Sequence, residues 1–242
     1  MEVIMELRAH ELGYQLLNEK VRSVNEDIVI NECYGERFIG AGASGKTITI
    51  NGTPGNALGA YLDGATIVVN GNAQDATGDT MNDGKIIIYG NAGDALGYAM
   101  RGGKIFVRGY AGYRTGIHMK EYKDKKPVIV VGGSTGSFLG EYLAGGLIIV
   151  LGLDTDSCPV GYFTGVGMHG GEIFIRSSKA PKNLPRQVTM SQANDEDIKR
   201  IEDVLSEFSG LFGVPMEEIL AKPFYRLTPN ARNPYKQLYT EN

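Results

Sequence analysis

The chain has 242 residues, of which 42% are hydrophobic, and a formal net charge of −4 at pH 7. This charge excludes the broadly basic surface that nucleic-acid binding requires, and no run of about eighteen apolar residues is present to span a membrane. We therefore expect a soluble cytoplasmic protein with one large core and with neither nucleic acid nor a membrane as a partner. Cys33 and Cys158 lie far apart in sequence and predict neither a disulfide framework nor a zinc site.

The first predicted element is a helix over residues 9–23, where apolar residues recur at helical spacing and fall on one side. The residues on that side are Tyr14, Leu17, Val21 and Val24. We expect this amphipathic helix to form an N-terminal helical cap within residues 1–26.

The central part of the chain is a sequence repeat. Segments of one pattern follow each other about every 19 residues, and the alternating apolar residues in each predict a short strand with one face in a core. The aligned segments are GKTITINGTPGNALGAYLD (45–63), GATIVVNGNAQDATGDTMND (64–83), GKIIIYGNAGDALGYAMRG (84–102), GKIFVRGYAGYRTGIHM (103–119), VIVVGGSTGSFLGEYLAGG (128–146), LIIVLG through GYFTGVGMHGG (147–171) and EIFIR (172–176).

Three columns of apolar residues run through these segments. The first is Ile48, Ile67, Ile86, Ile105, Ile129, Ile148 and Ile173, and the second is Ile50, Val69, Ile88, Val107, Val131, Val150 and Ile175. The third is Leu62, Met81, Met100, Met119, Leu143 and Met168. Such columns indicate that each repeat stacks on the one before. They predict an all-β fold, a single-stranded parallel β-helix of about seven coils over residues 27–177, each coil with three short strands and three corners.

Glycines recur in these repeats with the spacing GxxGxxxG. A phosphate-binding loop is needed once, at the start of a helix, whereas a corner is needed in every coil, and no helical stretch follows these glycines. We therefore interpret them as corner residues rather than as a nucleotide site. The spacing also fits neither calcium-binding β-rolls nor hexapeptide acyltransferases. The predicted corner glycines are Gly52, Gly55, Gly59, Gly71, Gly78, Gly90, Gly93, Gly97, Gly109, Gly112, Gly116, Gly133, Gly136 and Gly140.

Few residues are candidates for chemistry. The histidines have no serine or cysteine nucleophile beside them in a recognisable motif, so we expect them to pack or to form hydrogen bonds. They are His10, His118 and His169. Asp75, Asp79 and Asp83 cluster near one corner, but neighbouring repeats do not keep the cluster, which favours a solvated corner over a metal site. We predict no catalytic, cofactor-binding or metal-binding residue on this chain.

Two insertions interrupt the repeat. KEYKDKKP lies between two repeats at residues 120–127, and LDTDSCPV lies within one at residues 153–160. Because a rigid stack would hold such loops on one face, the first is a candidate for partner binding, with a solvated loop as the alternative. The candidate partner contacts are Lys120, Lys123, Lys125 and Lys126.

An outward column of apolar residues lies between the two inward strand columns, and it should not face water. It consists of Thr49, Val68, Ile87, Phe106, Val130, Ile149 and Phe174. The candidate cover is a helix over residues 191–213, which Asn194 can cap at its start and Gly210 or Gly213 at its end. Its predicted apolar face is Ile198, Ile201, Leu205 and Phe208. A shorter helix follows at 215–221, so residues 178–242 are predicted to form a C-terminal helical cap and tail.

The repeat GKIIIYGNAGDALGYAMRGG, at residues 84–103, is similar to the GXGXG domain at the C-terminus of the glutamate synthase large subunit. The same repeat occurs in one of the subunits of formylmethanofuran dehydrogenase. GYRTGIHMKEYKDKKPVIVVGG and GLIIVLG resemble the separately encoded domain of multi-subunit, archaeal-type glutamate synthases. The resemblance runs from about residue 9 to the C-terminus, and Gly84 to Gly152 is its most specific part.

The resemblance implies a right-handed β-helix and a non-catalytic role. Such a subunit would brace an amidotransferase, which frees ammonia from glutamine, against a subunit with FMN and iron–sulfur clusters that completes glutamate from 2-oxoglutarate. All cofactors would then lie on partner subunits. No catalytic residue of the family maps onto this chain, since the amidotransferase needs an N-terminal cysteine and this chain begins Met-Glu-Val. Self-association into a homo-oligomer stays open.

Two alternatives to the glutamate synthase role stay open. The first is a subunit of a metalloenzyme similar to formylmethanofuran dehydrogenase. The second is an independent carbohydrate-active enzyme, which would need paired carboxylates along an open groove, a pattern that the sequence does not show.

Overall fold

The computed structural model describes residues 4–230, which form eleven strands and three helices. The strands are β1 (Met5–Arg8), β2 (Ile28–Tyr34), β3 (Thr47–Thr53), β4 (Asp63–Asn70), β5 (Asp83–Ile88), β6 (Lys104–Val107), β7 (Val128–Val131), β8 (Ala144–Val150), β9 (Gly170–Arg176), β10 (Val188–Gln192) and β11 (Phe224–Pro229). The helices are α1 (Ala9–Ser23), α2 (Asp195–Phe212) and α3 (Met216–Leu220).

The strands form one sheet in the order β1 to β9, then β11, then β10. Strands β1 to β9 are parallel, and each residue of the first inward column pairs with its equivalent in the next repeat, as Ile86 does with Ile105. All residues of the three predicted inward columns are fully buried in one cluster. The predicted stacking of repeats through these columns is therefore confirmed.

The predicted all-β fold, a parallel β-helix, is wrong. The described strands form a single mixed sheet of eleven strands, mostly parallel, which together with the helices gives an α/β fold. Of the three strands predicted per repeat, one forms. The glycine-rich segment cannot extend, because Ala95, Gly97 and Ala99 have φ of 55°, 66° and 51° within five residues. In that segment the pairing between repeats is reduced to single bridges, such as Ala73 with Ala92 and Ala92 with Ala111.

Polar side chains in the glycine-rich segments bind each repeat to the next. Asp75 Oδ1 accepts a hydrogen bond from the Asp94 backbone N–H at 2.9 Å, and Asp94 Oδ1 accepts one from the Tyr113 N–H at 2.8 Å. Asn72 Oδ1 likewise accepts from the Asn91 N–H at 2.8 Å. These bonds satisfy backbone donors that a strand would otherwise pair, so the turns are stabilised without a second ladder.

Helix α1 forms over the residues that the sequence predicts and buries Leu17 and Val21, and it connects β2 to β1, a strand that the sequence analysis does not predict. Gly13, at φ 67° and ψ 167°, interrupts the helical backbone, so Tyr14 leaves the predicted apolar side and is exposed. At the other end, Lys46 Nζ donates to the backbone carbonyls of Val21 and Val24, each at 2.5 Å. A positive charge at the C-terminal end of α1 is stabilised by the negative end of the helix dipole.

Helix α2 packs on the outward face of the sheet. Its residues Ile201, Leu205 and Phe208 are buried in one cluster with the outward column from Ile87 to Phe174. Asn194 forms a capping box with Asp197, and Gly213, in the left-handed conformation, ends the helix. The prediction that this helix covers the outward column is confirmed for β5 to β9. On β3 and β4, Thr49 and Val68 remain partly exposed.

The C-terminal segment also contains two strands that the sequence pattern does not reveal. Strand β11 pairs antiparallel with β9, and β10 pairs antiparallel with β11. The predicted division into residues 1–26, 27–177 and 178–242 stays a prediction. Its first three and last twelve residues, 1–3 and 231–242, lie outside the described part of the chain.

Candidate functional site

Most of the predicted corner glycines lie in the turns of successive repeats, where other repeats fill the space that a side chain would need, whereas Gly52 lies within β3. Gly97 has φ +66°, and a Cβ built on it would lie 2.5 Å from Cδ1 of Ile129. Gly136 approaches the preceding repeat with its backbone, and a Cβ there would lie 2.8 Å from the Tyr113 nitrogen. These glycines therefore serve close packing between repeats.

The same turns hold residues other than glycine in the left-handed conformation, two positions before and two after the glycine of the Gly97 column. In the early repeats the position before the glycine is alanine: Ala57, Ala76 and Ala95 have φ of 61°, 56° and 55°. In the late repeats it is Arg114, Phe138 and Phe163, with φ of 59°, 64° and 60°. The position after the glycine is His118 and then Tyr142 in the fourth and fifth repeats, with φ of 56° and 53°.

The large residues at these turns stack on one another. The rings of Phe138 and Phe163 are stacked with centroids 5.1 Å apart, and the Arg114 guanidinium lies 5.0 Å from the Phe138 centroid. His118 stacks on Tyr142 at 5.1 Å with an interplanar angle of 9°. Offset or edge contacts of this kind stabilise aromatic pairs beyond the area that they bury.

We call this set the aromatic corner surface, and it comprises Tyr98, Arg114, His118, Phe138, Tyr142 and Phe163. Tyr98 meets the His118 ring edge-on at 5.9 Å. The surface is open to solvent: Phe163 is 54% exposed, Tyr98 39% and Tyr142 37%. Exposed aromatic side chains held in fixed positions are typical of protein interfaces, where such residues contribute most of the binding energy.

The charges around the aromatic corner surface are mostly positive. Arg114 Nε donates to Glu141 Oε2 at 3.1 Å, which holds the guanidinium over the Phe138 ring. Arg101 and Lys120 occupy equivalent positions just beyond Ala99 and His118, and both are exposed. Neither forms an ion pair with any residue between 4 and 230. A protein that binds here would therefore gain from carboxylates opposite Arg101 and Lys120.

The insertion at residues 120–127 is folded against the turns that precede β4 and β5. Lys125 Nζ lies 2.9 Å from Asp83 Oδ2 and 3.7 Å from Asp63 Oδ1. A hydrogen bond from Lys125 holds the pKa of Asp83 below its ordinary value. Lys123 Nζ lies 5.3 Å from the Tyr122 ring centroid. Lys125 is thus engaged within the chain, while Lys120, Lys123 and Lys126 are exposed.

The structure brings no metal-binding group together: among residues 4–230, no cluster of three or more His, Cys, Asp or Glu side chains could hold an ion. Asp79 accepts a hydrogen bond from Thr80 Oγ1 at 2.8 Å. His169 Nδ1 lies 3.2 Å from the Gly167 carbonyl oxygen, and His10 is exposed on α1.

Neither cysteine has the lowered pKa of a reactive thiol. Burial raises the pKa of Cys33 to about 12, and burial also raises that of Cys158. The two thiols are free rather than disulfide-bonded. In the described part of the chain no helix has the length and apolarity needed to cross a membrane.

Comparison with known proteins decides the family. The family model described as GXGXG motif matches residues 3–230, nearly the whole chain. The chain belongs to the GXGXG motif family. The resemblance read from the repeat of residues 84–103 is thereby confirmed.

Two known proteins are similar to this chain. An uncharacterized protein of Methanocaldococcus jannaschii, MJ1350, is 42% identical over 254 residues, covering 99% of this chain and 97% of that protein. A chain of the formyltransferase/hydrolase complex FhcABCD from Methylorubrum extorquens, solved with methylofuran, aligns with a TM-score of 0.62 at 24% identity. The alignment covers 84% of this chain and 72% of that one, so the two share the fold of the GXGXG family.

The aromatic corner surface is the candidate functional feature that the sequence analysis misses. Its residues are scattered among glycines, and neither their spacing nor their type separates them from ordinary turn residues. A usable signal exists in hindsight, because the alanine of the early turns is replaced by arginine and phenylalanine at the equivalent positions.

Proposed function

We propose that the chain is a non-catalytic scaffolding subunit of a glutamate synthase-type complex, which makes glutamate from glutamine and 2-oxoglutarate. It would brace an amidotransferase subunit against a subunit that carries FMN and iron–sulfur clusters. The observation that carries the proposal is the aromatic corner surface, whose exposed rings are fixed by stacking rather than covered by the chain itself.

The rigidity of this surface suits a scaffold. Each ring lies on a turn that is bound to the repeats on either side, as when the Arg114 N–H donates to the Ser137 carbonyl and the Phe138 N–H donates to the Tyr162 carbonyl. Side chains that are ordered before binding lose little conformational entropy when a partner arrives. A partner subunit could therefore be held in one orientation by a small number of aromatic contacts.

Family membership supports the assignment to a multi-subunit enzyme. The repeat of residues 84–103 resembles the GXGXG domain of glutamate synthase, and the structural neighbour belongs to an enzyme complex by its own description. In the proposed complex the FMN and the iron–sulfur clusters are held by partner subunits, and the chain acts in the cytoplasm.

A second candidate is a scaffolding subunit of a complex that handles formyl groups, similar to formylmethanofuran dehydrogenase. The observation that favours it is the fold shared with a chain of FhcABCD over 84% of this chain. The identity of 24% shows a common fold and leaves the reaction open between the two candidates.

The test is purification of the complete tagged chain from its own cells, followed by analysis of what accompanies it. A flavin and iron–sulfur absorbance spectrum, together with glutamine-dependent formation of glutamate from 2-oxoglutarate, would support the glutamate synthase assignment. A tungsten or molybdenum protein with formyl-transfer activity would replace it with the second candidate. A chain that purifies alone under gentle conditions would count against both.

The aromatic corner surface is tested in the same experiment. The double variant Phe163→Ser with Tyr142→Ser should lose the accompanying subunits while the chain keeps its own melting temperature. Tyr34→Ser is the matched control, since Tyr34 is 74% exposed and lies outside the surface. Retention of the subunits by the double variant would move the interface elsewhere.

A further inference from the structure

We infer that the free edge of β1 is a self-association surface, at which a second copy of the chain adds its own β1 antiparallel to form a two-fold dimer. The inference concerns the opposite end of the sheet from β10 and does not rest on the proposed function. Its first support is topological: β1 is the terminal strand of the sheet and pairs only with β2 among residues 4–230.

The backbone of β1 is open on that edge. The Met5 N–H donates to the Asp27 carbonyl at 2.9 Å, which directs the Met5 amide toward β2. Because successive amides of a strand point to opposite sides, the N–H and C=O groups of Glu6 and the N–H of Arg8 point to the free edge. The Arg8 carbonyl belongs to the first turn of α1, of which Arg8 is the N-cap residue. Unpaired strand edges of this kind readily accept another strand.

The side chains of β1 favour a second copy of β1 as the strand that binds at this edge. Glu6 and Arg8 are exposed and lie on the outward face, while Leu7 between them is buried. When two copies of β1 pair antiparallel with Leu7 opposite its counterpart, Glu6 of each copy lies opposite Arg8 of the other. Opposite charges directly across an antiparallel pair are stabilising. In the same pairing the Arg8 N–H of each copy can donate to the Glu6 carbonyl of the other.

The alternative two-fold registers are disfavoured by the same charges. Sliding the second copy by two residues places Glu6 opposite Glu6, and sliding it the other way places Arg8 opposite Arg8. Like charges directly across a pair are destabilising. A slide by one residue would turn the apolar face of one strand toward solvent. The charge pattern of this short strand is therefore complementary to itself in one register only.

Competing contacts within the chain are weak at this edge. Arg8 forms an ion pair with Glu11 at 3.3 Å, but both side chains are 62% exposed, so exchanging this pair for one across the dimer costs little. The other terminal strand, β10, has the sequence VTMSQ and offers no charge to fix a register. These differences favour β1 as the edge that a second copy occupies.

Charge reversal on the complete chain tests the inference by analytical ultracentrifugation. The wild type should be a dimer, and Glu6→Arg or Arg8→Glu should each raise its dissociation constant about tenfold or more, because like charges then face each other twice. The double variant Glu6→Arg with Arg8→Glu should restore the wild-type constant. Glu19→Arg is the control, since Glu19 is exposed on α1 and forms no ion pair among the described residues, and it should leave the constant unchanged.

Disulfide trapping reports the register separately. Residues opposite each other at a hydrogen-bonded position of an antiparallel pair have their Cα atoms about 5.5 Å apart, within disulfide range. Mixing Glu6→Cys with Arg8→Cys chains should therefore give a cross-linked dimer, whereas Glu6→Cys alone should not cross-link. A monomeric wild type, single variants that dimerise as well as the wild type, or efficient cross-linking of Glu6→Cys alone would each overturn the inference.

Discussion

The late repeats carry large apolar side chains on two different surfaces, of which the chain covers only one. On the outward face of the sheet, Phe106 and Phe174 are fully buried beneath α2. On the turns of the same repeats, Phe163 is 54% exposed and Tyr142 is 37% exposed. Both sets form continuous rows, so the contrast lies in the cover and not in the spacing.

On the outward face, the largest residues of the column, Phe106 and Phe174, lie fully buried beneath α2. Toward the first repeats the column holds Thr49, which is partly exposed, and Val68, which is partly buried against the same cluster. On the turns, exposed rings stand at both ends of the series, as Phe38 and Tyr61 in the first turns and as the stacked rings of the late turns, with no element of residues 4–230 over the latter. A row of large apolar residues on this molecule is thus either covered by another element of the chain or, as proposed above, covered by another chain.

The largest expected effect is on the covered side. Phe208→Ala removes a fully buried ring from the interface between α2 and the sheet, where its Cζ lies 2.8 Å from the Cβ position of Gly132. Loss of the ring and the cavity left behind should lower the free energy of unfolding by about 3–5 kcal/mol. Urea denaturation measures the change, and a loss below about 1 kcal/mol would mean that α2 is not the essential cover.

A smaller effect is expected from the turns. Gly97→Ala combines backbone strain with a clash against Ile129 and should cost about 2–4 kcal/mol. Gly45→Ala is the matched control, because Gly45 has a similar φ of +63° but nothing within 4 Å of the added Cβ. Its cost should be strain alone, about 1 kcal/mol. Equal costs for the two variants would show that packing between repeats does not constrain Gly97.

The attachment of α2 should depend on pH. Burial acts to raise the pKa of Glu207, but hydrogen bonds from Lys104, at 2.5 Å, and Lys85 outweigh it and hold the pKa below its ordinary 4.5. A carboxyl group with a lowered pKa stabilises the fold above its unfolded-state pKa, and this contribution is lost as pH falls through the folded-state value.

Urea denaturation between pH 7 and pH 3 measures that contribution. The free energy of unfolding of the wild type should fall below about pH 4.5, and Glu207→Gln should be less stable at neutral pH with a shallower fall. Glu202→Gln serves as the control, since Glu202 is exposed on the same helix and forms no ion pair among the described residues. Parallel curves for wild type and Glu207→Gln would contradict the expectation.

The smallest effect on stability is expected from the exposed ring. Phe163→Ala should change the free energy of unfolding by no more than about 0.5 kcal/mol, because the ring is mostly in solvent and loses only its stacking on Phe138. Paired with Phe208→Ala, it compares one residue type on the two surfaces. A cost of several kcal/mol would show that the aromatic corner surface serves folding instead of binding.

The sequence correctly predicts one strand of each repeat and the cover of the outward face over β5 to β9, for identifiable reasons. Ile48 and its equivalents recur at one spacing, and periodicity of buried residues is the strongest signal in a sequence. The cap of α2 is equally local, since Asn194 and Gly213 act within one turn of the helix ends.

Prediction from the sequence fails where the outcome depends on backbone conformation or on distant pairing. Three strands per repeat are predicted because a turn residue such as Ala95, with φ of 55°, is not distinguishable from a strand residue by type. Strands β10 and β11 are missed because β11 pairs antiparallel with β9 and β10 with β11, and no repeat signals either pairing between these distant segments. The aromatic corner surface is missed for the first of these reasons.

The hydrogen bonds from Asp75 and Asp94 to the next repeat have a consequence for how such a chain can change in length. A single-residue deletion inside a turn would misalign the side-chain acceptors with the backbone donors between that layer and its neighbours. Removal of a whole repeat, such as residues 84–102, would instead bring equivalent acceptors and donors together again. Growth and shortening in this family should therefore occur by duplication or loss of entire repeats, with smaller insertions confined to loops such as residues 120–127 and 153–160.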